Sequence, residues 1–127
     1  MNPDVTIVVT VHNAAKFLRE CMDSVCGQTY KNIEIICVDG GSTDNSASIL
    51  NEYSQKDERI KIINDTNTSY GHKVNIGIEE AKGQYIGILE SDDMLKPDMV
   101  HTPIPKVTRK MRPILKNIQV QYFVQPS

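Results

Sequence analysis

The segment Val5–Val11, with the sequence VTIVVTV, decides the fold class of this chain. All seven of its side chains are branched at Cβ and none is charged, a pattern that predicts a strand buried on both faces. Three further short apolar runs follow it, at residues 33–38, 60–63 and 85–89. Segments with helical periodicity separate these runs, so strands alternate with helices along the chain. This order predicts an α/β fold with right-handed crossovers, a parallel sheet and helices on both of its faces.

Each of the three helical segments carries apolar residues at a spacing of three or four. These positions are Phe17, Leu18, Cys21, Met22 and Val25 in the first segment, Ala47, Leu50 and Tyr53 in the second, and Val74, Ile78 and Ala81 in the third. We expect Asn13 to cap the first helix, and Ser42 or Thr43 to cap the second. Gly27 and Gly83 are expected to end the first and the third helix.

The composition is that of one soluble globular domain. The 127 residues are 39% hydrophobic and 24% charged, with a mean hydropathy of −0.34, which excludes collagen, coiled coil and a wholly disordered chain. No apolar run approaches the roughly 18–20 residues of a membrane span, and no basic region precedes an apolar one at the N-terminus. Cys21, Cys26 and Cys37 are an odd number at no zinc-like spacing, so we expect free, mostly buried thiols and a cytoplasmic location.

Charge divides the chain near residue 100. Residues 1–100 contain sixteen acidic residues and nine Lys or Arg, whereas residues 101–127 contain five Lys or Arg and no Asp or Glu. We expect residues 1–100 to form the domain and residues 101–127 to form an atypical basic tail. Apolar residues from Val107 to Tyr122 fall at helical spacing, but Pro113 would kink a helix there. A basic amphipathic helix on a membrane surface or an acidic partner is one interpretation. A poorly ordered tail on a truncated reading frame is the favoured one.

The most informative polar cluster is Glu90–Asp93 (ESDD), which directly follows the fourth predicted strand. Carboxylates this close repel one another unless a cation or solvent separates them, and oxygen ligands of this kind suit Mg²⁺ or Mn²⁺. Residues 12–13 and Asp39 end two other strands, and ligands of such sheets bind beyond the carboxyl ends of the strands. We therefore expect a metal-assisted phosphate site along this edge. The alternative is a solvated acidic turn with Asp93 as a helix cap.

Single polar residues at the same edge fit a nucleotide. Two glycines follow Asp39 and let a ligand approach the backbone, so its carboxylate is placed to accept hydrogen bonds from a base or a ribose. Residues 10–13 lack the glycine-rich turn of NAD and FAD sites. His12 is expected to stack on a base or on the loop. Lys73 lies near the start of the predicted third helix. Two interpretations of this residue are equally open: it contacts a phosphate group, or it is a solvated surface lysine.

Five segments occur in one order along the first hundred residues: VTIVVTVHN (5–13), SVCGQTY (24–30), EIICVDGGSTD (34–44), NIGIEEAKGQYI (75–86) and LESDD (89–93). With this content and spacing, roughly residues 4–100 resemble the N-terminal, nucleotide-sugar-binding half of the family 2 glycosyltransferases. The resemblance implies the Rossmann-like GT-A fold, with an incomplete C-terminal half. Glu90 stands where the family's D-x-D motif more usually begins with aspartate.

The resemblance further implies a bound nucleoside diphosphate sugar, commonly a UDP-sugar, and a divalent metal, Mn²⁺ or Mg²⁺. It assigns the nucleotide-sugar to Thr10, His12, Asn13, Asp39, Lys73, Glu90 and Asp92, and the metal to Asp92 and Asp93. Thr10, His12 and Asn13 would flank the base, and Asp39 would hydrogen-bond it. Lys73 would lie toward the ribose or the diphosphate.

The family's reaction transfers the sugar to a saccharide or lipid-linked acceptor with inversion at the anomeric carbon, in polysaccharide or cell-surface glycan synthesis. A carboxylate base deprotonates the acceptor hydroxyl, and it lies well downstream of the D-x-D motif. Asp98 is the only carboxylate after Asp93, and it looks like a helix start. We therefore expect a truncated form that lacks the base.

Two alternatives stay open at this point. One is a nucleotidyltransferase with a GT-A-like sheet, although the segment after the first strand has no glycine-rich, basic loop for a triphosphate. The other is a non-catalytic nucleotide-binding or interaction module. We expect no nucleic acid partner and a cytoplasmic location, with peripheral association at the inner face of the membrane left open.

Overall fold

The computed structural model describes residues 3–29, 31–66 and 69–91, and the backbone of residues 119–122. The elements in chain order are β1 (Val5–Val11), α1 (Ala15–Cys26), β2 (Ile33–Asp39), α2 (Ser46–Lys56), β3 (Ile60–Asn64), α3 (Tyr70–Glu80), β4 (Tyr85–Glu90) and β5 (Gln119–Tyr122). The five strands form one sheet in the order β3-β2-β1-β4-β5, and all neighbouring strands are parallel. The predicted α/β fold with a parallel sheet is confirmed.

The central strand β1 is buried along its whole length. Val5, Ile7, Val9 and Val11 pack on one side with the buried residues of α1 and α2, whereas Val8 packs on the other side with α3. Each fully buried Val or Ile side chain stabilises the fold by roughly 1.5–3 kcal/mol relative to an exposed one. The absence of polar alternation in β1 therefore reflects helices on both faces, as predicted.

The connections reverse direction next to β1. From β1 the chain runs to β2 and β3 with α1 and α2 on one face, and it then returns through α3 on the other face to β4. The strands β1 and β4 therefore meet at the point where the order of the sheet reverses. In open parallel sheets this is where a crevice forms beyond the carboxyl ends of the strands.

Both predicted helix N-caps are wrong. Ala14 precedes α1, and Asn13 has a φ of 49° in the left-handed region, which asparagine tolerates better than most residues. Asn45 precedes α2, so Ser42 and Thr43 lie too far upstream to cap this helix. The sequence rule looks for a cap within the same segment, whereas these side chains bind the neighbouring loop instead.

Of the two predicted helix ends, the one at Gly27 is confirmed and the one at Gly83 is wrong. Gly27 follows α1, as predicted, and its N–H donates to the Asp23 carbonyl at 2.9 Å. The third helix ends at Glu80, before Gly83. Gly83 instead lies against β1, where a Cβ would be only 2.5 Å from the Thr6 nitrogen. A glycine is required at position 83 because of this close approach to β1, and not because it ends a helix.

Most of the predicted inward positions of the helices are buried, Tyr53 and Ala81 are partly buried, and two positions are exposed. Leu18, Cys21, Met22 and Val25 line the buried face of α1, Leu50 lies on that of α2, and Val74 and Ile78 on that of α3. Phe17 is 44% exposed, and Ala47 is exposed while Ile49 is buried. The spacing of three or four selects a stripe, and it does not distinguish a residue at the border of that stripe from one inside it.

The strand β5 was not predicted from the sequence. Its backbone pairs with β4 from Tyr85↔Gln119 to Ile88↔Tyr122, so part of the stretch 101–127 adds a strand to the sheet. The domain boundary at residue 100 is not tested by this pairing and stays a prediction. In the part of the chain that the structure describes, no helix is long and apolar enough to cross a membrane. The cysteines Cys21, Cys26 and Cys37 are free thiols.

Candidate functional site

A cavity of about 310 Å³ lies at the carboxyl ends of β1 and β4, and we call it the switch-point cavity. Its lining residues are Thr10, His12, Asn13, Ala14, Phe17, Tyr70, Lys73, Glu90 and Ser91. Five residues that the sequence analysis selected, Thr10, His12, Asn13, Lys73 and Glu90, are among them. They come from three separate parts of the chain, the stretch 10–13 after β1, α3 and the end of β4, and the fold brings them to one hollow.

Strand register fixes the floor of this cavity. Thr10 of β1 pairs with Glu90 of β4, and the Ser91 N–H donates to the Thr10 carbonyl at 3.1 Å. On the other side of β1, Val11 pairs with Asp39 of β2. Asp39 and Glu90 therefore lie about two strand spacings apart, or roughly 10 Å.

Asp39 does not line the switch-point cavity. It is 3% exposed and is the last residue of β2. Its Oδ1 accepts hydrogen bonds from the Ser42 N–H at 3.0 Å and from the Ser42 hydroxyl at 2.7 Å. Asp39 interacts with the cavity electrostatically, through its attraction to the Lys73 ammonium. Its expected contact with a nucleotide stays a prediction.

Lys73 is the cation of the described cavity wall, and only 4% of the residue is exposed. Burial lowers the pKa of Lys73 because it disfavours the charged form, while the carboxylates of Asp39 and Asp65 oppose this shift. The Lys73 N–H donates to the Ser69 carbonyl at 3.1 Å, in the first turn of α3. A cation at a helix N-terminus is a favourable place for a phosphate group.

The loop after β1 is bound to the loop after β2 through His12 and Asn13. His12 Nδ1 lies 3.1 Å from the Gly40 carbonyl, and since a carbonyl only accepts, Nδ1 is the protonated nitrogen. The Asn13 N–H donates to Ser42 Oγ at 2.9 Å, and Asn13 Oδ1 accepts from the Thr43 N–H at 2.7 Å. The amide of Asn13 is thus engaged within the protein, and the His12 ring has a fixed orientation.

The first turn of α1 is capped from outside its own segment. The Ala14 N–H donates to Ser46 Oγ at 3.0 Å, and the Ala15 N–H donates to Asp44 Oδ2 at 3.1 Å. Asp44 Oδ1 also accepts from the Ser46 N–H at 2.9 Å. Hydrogen bonds, foremost from Ser46, lower the pKa of Asp44. Two side chains near the start of α2 therefore satisfy N–H groups that α1 leaves unpaired.

Two aromatic residues of the cavity wall were missed as site residues. Phe17 of α1 and Tyr70 of α3 are 44% and 37% exposed, and they reach the cavity from opposite faces of the sheet. The buried stripe of α1 is complete without Phe17, because positions 18, 21, 22 and 25 already follow helical spacing. An aromatic residue outside the buried stripe is the sequence signal that could have identified Phe17 as a site residue.

Of the acidic motif Glu90–Asp93, the structure describes only Glu90 and Ser91. Glu90 ends β4 with an exposed side chain in the cavity wall, and its oxygens are of the type that Mg²⁺ and Mn²⁺ accept. The predicted metal ligands Asp92 and Asp93 lie outside the described residues. Within the residues that the structure describes, no three His, Cys, Asp or Glu side chains come together as a metal site.

A larger cavity, of about 670 Å³, lies at the opposite end of the sheet. It is lined by residues at the amino ends of β2 and β3, among them Lys31, Glu34, Arg59 and Lys61. The Arg59 guanidinium is already bound to Asp57 and to two backbone carbonyls. Ligands of parallel sheets bind at the carboxyl ends of strands, so we select the smaller, switch-point cavity in spite of its size.

The chain matches the sequence profile of Glycosyl transferase family 2 over residues 6–113. The chain belongs to this family. The match confirms the resemblance seen in the sequence, and it continues beyond residue 100, where we expected the domain to end.

A glycosyltransferase named GlyG from Streptococcus pneumoniae is 40% identical over 111 residues, which are 87% of this chain and 37% of that protein. The mannosyltransferase PcManGT from Pyrobaculum calidifontis, solved in complex with GDP-Man and Mn²⁺, has a TM-score of 0.73 at 23% identity, over 84% of this chain and 34% of that one. S. aureus TarS 1-349 in complex with UDP-GlcNAc has a TM-score of 0.70 at 24% identity, over 74% and 28%. The fold is thus the GT-A fold, and this chain spans about a third of the length of these proteins.

Proposed function

We propose that this chain binds a nucleoside diphosphate sugar, in the first place a UDP-sugar, in the switch-point cavity, as the donor half of an inverting glycosyltransferase. The observation that carries the proposal is the convergence of Thr10, His12, Lys73 and Glu90 on one hollow at the reversal of the strand order. The complexes of TarS with UDP-GlcNAc and of PcManGT with GDP-Man support the class of ligand.

The nucleotide base would lie over the ends of β1 and β2. The His12 ring is bound to the Gly40 carbonyl, so it offers a flat face for stacking at a smaller loss of side-chain freedom than an unbound ring. Thr10 and Asn13 would flank the base on the same loop. Asp39 would accept a hydrogen bond from an N–H group of the base.

The charged part of the donor would lie toward β4 and α3. Lys73 and the N-terminal end of α3 would attract the diphosphate, because both present positive charge to it. Glu90 would accept a hydrogen bond from a ribose hydroxyl, as would Asp92. We propose that Asp92 and Asp93 bind a divalent metal, Mn²⁺ or Mg²⁺, which supplies positive charge for a leaving diphosphate when it is bound.

The base that deprotonates the acceptor is not among the residues we select. Residues 101–127 contain no Asp or Glu, and Asp98 is the only carboxylate after Asp93. We propose that this stretch supplies donor binding and not the base, and that the acceptor is a saccharide or a lipid-linked sugar in polysaccharide or cell-surface glycan synthesis. A cytoplasmic location, at or near the inner face of a membrane, is part of this proposal.

Calorimetric titration with UDP, with and without Mn²⁺, tests the proposal. We expect saturable binding of UDP that Mn²⁺ strengthens, and no binding of NAD, because β1 is followed by no glycine-rich turn. Absence of UDP binding under both conditions contradicts the proposed function. Tighter binding of UTP than of UDP would favour the nucleotidyltransferase alternative instead.

Transfer activity is a separate measurement. Incubation of this chain alone with UDP-sugars and candidate acceptors is expected to give no turnover, because no base carboxylate is assigned within it. Robust transfer by this chain would show that one of its own carboxylates performs that role, and it would remove this part of the proposal while leaving the donor site intact.

A further inference from the structure

Hydrogen bonds around the Asp39 carboxylate are distributed unevenly. Both side-chain bonds that the described residues provide end on Oδ1, and both come from Ser42. A carboxylate offers about four acceptor positions on its two oxygens, so Oδ2 keeps its capacity to accept. Asp39 is 3% exposed, and its carboxylate is attracted to the Lys73 ammonium in the cavity wall, which connects Asp39 electrostatically to the proposed site. This arrangement leaves Asp39 Oδ2 able to accept a hydrogen bond from a ligand.

Ser42 is itself held in place by the loop after β1. The Asn13 N–H donates to Ser42 Oγ at 2.9 Å, and this hydroxyl in turn donates to Asp39 Oδ1 at 2.7 Å. Accepting from one side and donating to the other fixes the rotation of the hydroxyl and strengthens both bonds. The second helix begins only at Ser46, so the Ser42 hydroxyl is not used as a helix cap.

The main chain at Asp39 is fixed as well. The Asp39 carbonyl accepts from the Asp65 N–H at 2.9 Å, and the Gly40 N–H donates to the Val11 carbonyl at 2.8 Å. With the backbone bound on both sides and Oδ1 bound twice by Ser42, the direction of Oδ2 is determined by these contacts.

We infer that Ser42 is a positioning residue, which orients Asp39 so that Oδ2 accepts a hydrogen bond from the base of the bound nucleotide. This inference rests on the proposed function. Ser42 acts through Asp39 and does not itself contact the ligand, so its effect is confined to ligands that carry a base.

The test compares UDP with inorganic pyrophosphate, which lacks the base, by calorimetry in the presence of Mn²⁺. Ser42→Ala is expected to weaken UDP binding about three- to ten-fold, the effect of one lost hydrogen bond, and to change pyrophosphate binding less than two-fold. Ser42→Thr keeps the hydroxyl and is expected to restore UDP binding. Ser54→Ala in α2, where the hydroxyl donates to the Asn51 carbonyl, is the matched control and should bind both ligands normally.

The outcomes separate the inference from the proposed function. UDP affinity that is equal in Ser42→Ala and the unaltered chain overturns the inference alone, as does an equal loss for UDP and pyrophosphate, which indicates a merely structural role. Failure of the unaltered chain to bind UDP overturns the proposed function and the inference with it. If Ser42→Ala does not fold, Ser42→Cys, which keeps the size of the side chain and has a weaker donor, replaces it in the same comparison.

Discussion

Lys73 combines a positive charge with almost complete burial, and this combination distinguishes it from the surface lysines. Burial lowers the pKa of Lys73, and the nearby carboxylates of Asp39 and Asp65 counteract the shift. A buried cation at the wall of a cavity interacts with an anion through a low effective dielectric, so each charge–charge contact counts for more than at the surface. Its position in the first turn of α3 adds the partial positive charge of the helix end.

We predict that Lys73→Met weakens UDP binding about ten-fold, because it removes a charge-assisted hydrogen bond to the diphosphate. Methionine keeps the length of the side chain and adapts to the surrounding packing. The control is Lys61→Met on β3, since Lys61 is exposed and lies at the other cavity. Calorimetric titration measures both variants, and similar affinities in the two would exclude Lys73 from the phosphate site.

The helix α1 depends on the loop after β2 and on the first residue of α2 for its first hydrogen bonds. Its N–H groups at Ala14 and Ala15 are bound by Ser46 and Asp44, which lie about thirty residues along the chain. The same loop binds Asn13 through Ser42 and Thr43. The loop after β1, which lines the switch-point cavity, and the loop after β2 are therefore joined by several hydrogen bonds.

We predict that Asp44→Ala lowers the free energy of unfolding by about 1 kcal/mol at pH 7, the usual effect of a lost helix cap. The pKa of Asp44 in the folded protein lies below its ordinary value of 3.8. Its stabilisation is therefore present above that ordinary value and is lost as the pH falls through the folded-state pKa. Urea unfolding at pH 7 and pH 2.5 measures this difference between the variant and the unaltered protein.

Glu20→Ala is the matched control for Asp44→Ala, because Glu20 is an exposed carboxylate on α1 itself. A surface substitution of this kind is expected to change stability by less than about 0.5 kcal/mol. A deficit of Asp44→Ala that persists unchanged at pH 2.5 would contradict a role for the charged carboxylate.

For the whole molecule, the return of the chain across the sheet depends on a close approach of α3 to β1. A Cβ at Gly77 of α3 would lie 2.3 Å from Val8 Cγ1 and 2.9 Å from Cγ2. Val8 is completely buried on this face of β1. The absence of a side chain at Gly77 therefore lets α3 pack onto the strand that forms the floor of the cavity.

We predict that Gly77→Ala lowers the free energy of unfolding by about 1–3 kcal/mol through overpacking. The same substitution should cost less in a Val8→Ala background, because the clashing methyl groups are then gone, and a double-mutant cycle measures this coupling. Gly71→Ala is the control, since its Cβ would meet nothing nearer than Ser69 Oγ at 4.0 Å. Equal effects of Gly77→Ala and Gly71→Ala on urea unfolding would refute the packing argument.

The sequence by itself determined the first four strands and the edge of the sheet that carries the candidate site. The β-branched run Val5–Val11 and the alternation with helical segments follow from local hydrophobic periodicity. Parallel strands place their carboxyl ends at one edge, so the strand order alone predicts that Thr10 and Glu90 lie near each other. The family followed in the same way, because its motifs are short and contiguous.

Only the tertiary structure decided how the polar residues of that edge are used. Asn13 was expected to cap α1, and its amide instead binds Thr43 in the next loop. Phe17 was expected inside, and it lies with Tyr70 in the wall of the cavity. The strand β5 was not expected at all. Each of these outcomes is set by contacts between segments that are distant along the chain, and local periodicity carries no information about the partner that a polar or border residue meets there.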